Sequence, residues 1–235
     1  YLHAISKRMN RLVFLLFFMV SSTVLKAQIN EIGVFLGGSN YIGDVGPTNY
    51  IAPNDIAIGF VYKWNRSTRH TYRFSYTYGQ LSSNDADSDV PDRNLRGLSF
   101  ENKVNEFSAG LEFNFFDFDL HKLSSQFTPY VYTGISYFSY KELFYIDNEV
   151  KEDYTEGALA IPIVLGVKAK LNRRFIIGLE AGARYTFTDN LDGSNPKNEN
   201  LNTLKFGNIN SNDWYVFTGF TLTYTFGENP CFCPQ

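Results

Sequence analysis

The sequence predicts an all-β protein, an eight-stranded antiparallel transmembrane up-and-down β-barrel, preceded by a cleaved signal peptide. Three observations predict it. Eight segments alternate bulky apolar residues with small, polar or charged ones at period two, the period of a strand. Most of these segments run to ten or more residues, longer than the five or six typical of a soluble sheet and suited to the roughly 9–11 that a tilted membrane strand needs. The connections alternate between short and long, as in outer-membrane barrels.

Composition narrows the choice. Among 235 residues there are 22 Phe and 16 Tyr, yet mean hydropathy is −0.22. That aromatic load excludes a disordered chain. With 21 Lys+Arg against 24 Asp+Glu, and a net charge of −3, there is no basic excess for nucleic acid.

At the N-terminus, Lys7, Arg8 and Arg11 precede an apolar run from Leu12 to Val20, followed by Ser21, Ser22, Thr23 and Leu25-Lys26-Ala27. This order is that of a secretory signal peptide, expected to span 1–27 with Met9 as the true start and Gln28 as the first mature residue. The rival reading is a first core helix. The run is too short to span a bilayer and no second long apolar run follows, which excludes a helical membrane protein after cleavage.

The first strand is expected at about Glu31 to Asn40. The second sets Ile56, Ile58, Phe60, Tyr62 and Trp64 against Ala57, Gly59, Val61 and Lys63. The third sets Tyr72, Phe74, Tyr76 and Tyr78 against Thr71, Arg73, Ser75, Thr77 and Gly79. In the fourth, Phe107, Ala109, Leu111, Phe113 and Phe115 oppose Glu106, Ser108, Gly110, Glu112 and Asn114. The fifth, Thr128 to Tyr140, is ambiguous in phase; Val131, Thr133, Ile135 and Tyr137 are favoured as its apolar face. The sixth opposes Ile161, Ile163, Leu165, Val167, Ala169 and Leu171 to Pro162, Gly166, Lys168 and Lys170. The seventh opposes Ile177, Leu179, Ala181, Ala183, Tyr185 and Phe187 to Gly178, Glu180, Gly182, Arg184 and Thr186. The last opposes Val216, Thr218, Phe220, Leu222, Tyr224 and Phe226 to Phe217, Gly219, Thr221, Thr223 and Thr225. A narrow eight-stranded lumen suits the small and polar set, so the bulky set is expected to face lipid.

Short links are expected at Asn65–Arg69 and Asn172–Arg174, with Asp117–Phe127 somewhat longer. Long polar loops are expected at Ser39–Asn54, Leu81–Lys103, Lys141–Leu159 and Asp189–Asn212. An even strand count puts both termini on the short-turn, periplasmic side. The barrel is expected to span 28–227, and 228–235 to form a periplasmic tail.

The predicted inward face carries Lys63, Arg73, Lys168, Lys170 and Arg184 together with Glu106, Glu112 and Glu180. Buried charges must pair or be hydrated. A salt-bridged plug filling the lumen is one reading; a selective pore or ligand site is the other.

Catalytic chemistry finds little support. After cleavage only His70 and His121 remain, both beside short turns, and there is no G-x-S-x-G, phosphate loop or metal-ligand cluster. No cofactor and no enzymatic activity are expected. The acidic run Asn84–Asp92 lacks the glycine and terminal glutamate of an EF-hand, so it reads as a solvated loop before a cation site. Tyr41, Tyr50, Tyr145 and Tyr154 lie at loop edges, either as an interfacial aromatic belt or as ligand contacts. Cys231 and Cys233 follow the last strand: a strained local disulfide, a bond to a partner and two free thiols are all open, with a partner contact by the tail preferred.

Six stretches carry a family resemblance. They are EIGVFLGGSNYIGDVGP (Glu31 to Pro47), RFSYTYGQL (Arg73 to Leu81), NEFSAGLEFNFF (Asn105 to Phe116), PYVYTGISYF (Pro129 to Phe138), IPIVLGVKAKLN (Ile161 to Asn172) and GLEAGARYTFTDNLDG (Gly178 to Gly193). Together they resemble the small outer-membrane barrels of Bacteroidota, in particular the PorG-like component of the type IX secretion system. The resemblance covers nearly the whole mature chain; its most specific pieces are GGSNYIGDVG and the ExGxRYTxTDxLD stretch. The family's last loop often carries a fuller acidic run where Gly193 follows Asp192 here. The resemblance implies a non-enzymatic barrel in the cell outer membrane, in contact with its lipids. It also implies a link to a periplasmic ring of a lipoprotein and its partner subunit that supports protein export and gliding. A surface barrel whose long loops capture a ligand or host protein is the alternative.

Overall fold

Alternation at period two gives each strand one bulky face and one small or polar face, and a sheet built from such strands gains by curling so that each face meets its own solvent. The computed structural model describes residues 29–227 apart from 123 and 209, and the sheet is a closed barrel in which each strand pairs antiparallel with the next and the last pairs with the first. The strands are β1 (Ile29–Ile42), β2 (Asp55–Asn65), β3 (His70–Asn84), β4 (Ser99–Asn114), β5 (Phe127–Ile146), β6 (Glu149–Lys170), β7 (Phe175–Thr186) and β8 (Trp214–Phe226). The expected signal peptide, the tail and both cysteines, Cys231 and Cys233, lie outside the described residues.

The orientation is inside-out relative to a soluble barrel. Ile56, Phe60 and Leu165 are 71%, 65% and 63% exposed, whereas Lys63 and Glu112 are 2% and 0% exposed. Phe74 and Leu222 also face outward, and Phe113 is half-buried beneath the rings of His70 and Phe115. Leaving one such side chain in water forfeits roughly 1.5–3 kcal/mol, so this belt is stable only against acyl chains. Rings collect where the belt ends. Trp64 stacks near Tyr72 (5.3 Å) and Phe175 near Tyr224 (5.5 Å) at the short-turn side; Tyr185 meets Trp214 (5.0 Å) at the other. Such girdles mark the two membrane interfaces. The fifth strand takes the favoured phase, with Ile135 and Tyr137 outward and Tyr130, Tyr132 and Phe138 inward.

The short turns are fastened by their own side chains. Ser67 Oγ accepts from the His70 N–H (3.0 Å), and Asn172 Oδ1 accepts from the Arg174 and Phe175 N–H groups (2.9 Å each). Two expected loops are corrected. Lys141–Leu159 is not a loop: β5 and β6 run on for 20 and 22 residues and meet in a two-residue turn, Asp147-Asn148, with φ of 51° and 64°. Both values suit the mirror-image hairpin turn that Asp and Asn tolerate. Beyond the membrane the hairpin is wetted on its outer side, so charge replaces grease there and the alternation fades. The expected loop Leu81–Lys103 shortens in the same way, because β3 reaches Asn84 and β4 starts at Ser99. Between them lies a short helix, α1 (Pro91–Arg96), ended by Gly97 at φ 66°.

Candidate functional site

The short-turn half of the lumen is an ion network. Glu112 on β4 receives Lys63 of β2 (2.7 Å) and Lys168 of β6 (2.6 Å), with Arg73 of β3 at 3.8 Å. Arg73 forks across the barrel onto both oxygens of Glu180 on β7 (2.7 Å each), and the Tyr130 hydroxyl donates to the same carboxylate. Higher up, Arg184 reaches Glu106 (3.2 Å), which also accepts from the Tyr215 hydroxyl (2.6 Å). Seven of the eight charged residues singled out from the sequence therefore meet here: Lys63, Arg73, Glu106, Glu112, Lys168, Glu180 and Arg184. Glu180 and Arg184, two inward positions apart on β7, choose partners across the lumen rather than each other. Lys170 stands apart: its ammonium donates to the carbonyls of Leu120 (2.8 Å) and Lys122 (2.5 Å).

Glu31 completes the network and was not singled out. It is fully buried, accepting from Asn65 Nδ2 (2.8 Å) and Thr223 Oγ1 (2.7 Å). Its inward phase on β1, shared with Phe35, was the available signal. With Glu31 counted, four buried carboxylates (31, 106, 112, 180) face four buried cations (63, 73, 168, 184), so the formal charge cancels. Separated charges of this kind would each carry a desolvation penalty of several kcal/mol; close pairing and hydrogen bonding offset it.

The long-loop half is filled differently. Phe138, Tyr140, Tyr215 and Phe217 are buried inside it, together with Leu143 and Leu191. Phe138 meets Tyr215 edge-on at 5.4 Å, and Tyr215 meets Phe217 at 5.2 Å. The expectation that the lumen holds small and polar groups is thus corrected for this half. Glycines make the rings fit: a Cβ on Gly79 would lie 2.5 Å from Phe217 Cε1. The Arg184 guanidinium lies over the Phe217 ring at 4.4 Å and joins the two halves.

Loops seal the top. The Tyr41 hydroxyl meets Asp192 (2.7 Å) and Asp213; Asp192 also accepts from the Val45 and Ser194 N–H groups (3.1 and 2.9 Å), and Asp213 from the Leu191 N–H (2.8 Å). Burial, and then the charge of Asp192, pushes the Asp213 carboxyl well above the usual range; burial likewise raises Asp192 and pushes Asp189 up to about 6. A phenol has one proton to give, so it can donate to only one of the two carboxylates, and the other can donate back to the phenol oxygen when protonated. Asp85 behaves oppositely. Burial pushes it up, but the Arg96 guanidinium at 2.7 Å and the N–H groups of Gly46 and Leu98 prevail and hold it below the usual range.

The remaining expected residues fall into place around these parts. Asp85 is committed to Arg96, while Asp87, Asp89 and Asp92 are exposed. Among the described residues no group of three His, Cys, Asp or Glu side chains could hold a metal ion. Tyr41 and Tyr145 are buried, 3% and 7% exposed, so they form neither an interfacial belt nor a ligand surface; Tyr50 and Tyr154 are exposed. His70 packs against Phe113, with Nδ1 at 3.3 Å from Ser67 Oγ. The large side chains Tyr130, Lys63, Lys168, Phe138, Phe217 and Leu143 are all fully buried. They fill the lumen from the short-turn half to the long-loop half.

The barrel is similar in shape to several solved structures. Ail, the attachment invasion locus protein of Yersinia pestis, solved with the heparin analogue sucrose octasulfate, is 10% identical, with 85% of this chain and 99% of that one covered at a TM-score of 0.47. The N-terminal β-barrel domain of Pseudomonas aeruginosa OprF is 12% identical, covering 85% and 98% at 0.44. The outer membrane protein OprG from Pseudomonas aeruginosa is 10% identical, covering 86% and 97% at 0.42. No curated protein matches the sequence. The lipid-facing belt, its aromatic girdles and the short-turn, long-loop asymmetry make this an outer-membrane barrel. One family model matches residues 10–235, and on that match the chain belongs to the family described as Domain of unknown function (DUF6089).

Proposed function

We propose that this barrel is a structural component of a protein secretion apparatus of the type IX kind, anchored in outer-membrane lipid and joined to a periplasmic ring lipoprotein and its partner subunit. The observation that carries the reading is the filled lumen. Ion pairs occupy one half and packed rings the other, which suits a rigid anchor and leaves little for a channel to use. The sequence resemblance supplies the particular machine. Its partners would meet the short turns and the tail at 228–235, on the periplasmic side.

The test is a crosslinked pull-down from native outer membranes. The tag belongs at Asp89, which is exposed, rather than at Asp85, which holds Arg96. Recovery of the ring lipoprotein, together with loss of secretion on truncation after Gly227 and none on exchange of the β5–β6 hairpin tip, is the expected outcome. Recovery of no periplasmic subunit, with secretion intact after truncation, would remove the reading. A secretion-neutral truncation combined with lost surface binding after the hairpin exchange would instead favour ligand capture by the extracellular loops.

A further inference from the structure

Among the described residues, Lys170 is a lumenal cation that stands outside the ion network. Its residue is 7% exposed, and its ammonium is met by two carbonyls, those of Leu120 and Lys122. An ammonium has three N–H bonds; two carbonyls solvate part of the charge and supply no counter-charge. Two residues earlier, Lys168 sits 2.6 Å from Glu112. Asp119, on the connection that supplies the carbonyls, spends Oδ1 on the His121 N–H (2.9 Å) and makes no ion pair with Lys170. The Asp119 carboxylate acts on Lys170 only from beyond ion-pair distance, and a buried cation without a directly bound anion is retained more readily where one completes it.

The surroundings are built for one. Lys170 lines a cavity of about 480 Å³ at the periplasmic mouth together with Arg173 and Arg174, and among the described residues no carboxylate lines it. Ile29, Leu120 and Phe226 give it apolar walls. Lys170 and Ile29 are buried on the inward face while Phe226 is exposed, so the cavity sits at the strand ends on the short-turn side, where the barrel wall meets the periplasm. Exposed cations continue around this rim at Arg66, Arg69 and Lys122, against Asp117 and Asp119; of these Arg69 is paired, to Asp117 at 2.7 Å.

We propose that this mouth is a docking site for an acidic segment of a periplasmic protein, whose Asp or Glu carboxylate enters between Lys170, Arg173 and Arg174. Guanidinium forks match a carboxylate in two parallel hydrogen bonds. The apolar walls suit the methylenes of the same side chain. The positive rim steers an acidic partner and repels a basic one. The proposal rests on the reading above, in that partners approach from the periplasm, and it adds the chemistry by which one would be recognised.

The experiment uses the full barrel in nanodiscs of zwitterionic lipid, titrated calorimetrically with a hexaglutamate peptide at about 50 mM salt, where screening is weak. The expected result is saturable binding that weakens about tenfold or more in the double variant Arg173→Gln/Arg174→Gln and in Lys170→Met, and returns in Lys170→Arg. Arg173 and Arg174 are exposed, so the double variant keeps the fold even if Lys170→Met does not. Absence of binding by the native barrel, or equal binding by the double variant, overturns the proposal. So does inorganic phosphate binding as tightly as the peptide, which would make this a small-anion site. Binding gained only after deletion of 228–235 would make the chain's own tail the occupant, and also overturns it. Peptide binding that persists while the pull-down recovers no ring subunit keeps the site and removes the secretion reading.

Discussion

On the short-turn side of Arg184 the lumen is filled with charge; on the long-loop side it is filled with rings. The two fillings tolerate error differently. In the charged half each group depends on a named partner at 2.6–3.2 Å, as with Lys63 and Lys168 on Glu112, or Arg184 on Glu106. In the ring half Phe138, Tyr215 and Phe217 share one packed volume, and no single contact decides the outcome. Polar fillings are all-or-none because an orphaned charge in low dielectric is penalised in full, whereas an apolar filling loses in proportion to the volume removed.

The largest effect that would sharpen this contrast comes from Glu112→Gln. It leaves Lys63, Lys168 and Arg73 facing one another without their common anion, and should destabilise the barrel by about 3–5 kcal/mol. Urea unfolding in detergent micelles, followed by loss of the heat-modifiable gel band, measures it; a change under about 1 kcal/mol would show that water already screens the network. Next is Leu191→Ala in the ring half. It should cost about 2 kcal/mol, the low end for a buried leucine, because its loop can settle into the space. The same variant belongs in planar bilayers, where the contrast predicts no more conductance than the native barrel shows, since the ion pairs of the charged half stay in place beneath it.

A smaller effect concerns Asp85. Asp85→Ala strands Arg96 and the N–H groups of Gly46 and Leu98 and should cost about 1–3 kcal/mol, while Asp89→Ala, on the same acidic run, should stay within about 0.5 kcal/mol. Chemical unfolding of both variants side by side separates a structural aspartate from a solvated one. The smallest is local to the cap. Asp192 and Asp213 are raised in the folded state, so their contribution is full below the ordinary aspartate range near 4 and is lost as pH climbs through their raised values. Protection of the Leu191 N–H, corrected for intrinsic exchange, should therefore fall from acid towards alkaline pH. Asp213→Asn, whose amide donates to Tyr41 as a protonated carboxyl would, should flatten that profile. A profile unchanged by the substitution would show that protonation of Asp213 does not hold the loop.

Much of this architecture was readable from alternation alone, because each membrane-embedded residue faces one of two very different solvents. Glu112, Lys168, Glu180 and Arg184 declared themselves as charges on an otherwise small-residue face. Reading failed where the two solvents become alike. Past the membrane, β5 and β6 are wetted outside and packed inside only at residues such as Leu143 and Tyr145, so a 22-residue strand looked like a loop. It also missed that the lumen can take a phenylalanine wherever a glycine stands opposite, as Phe217 does against Gly79. The two most specific sequence stretches turn out to touch: Tyr41 and Val45 of one bind Asp192 of the other. That contact depends on closure of the barrel and could not be inferred from either stretch alone. Lys170 shared every sequence feature of its paired neighbour Lys168, and only the position of the strand end distinguishes them.

The cross-lumen pairing has a consequence for biogenesis. Glu112 on β4 is answered from β2 and β6, Arg73 on β3 by β7, and Glu106 on β4 by β7 and β8. A half-rolled sheet would therefore present bare ions to hydrocarbon, with no local way to neutralise them. Insertion should wait until the first and last strands have met, so the nascent polypeptide must be curled in water or within an assembly factor before lipid receives it.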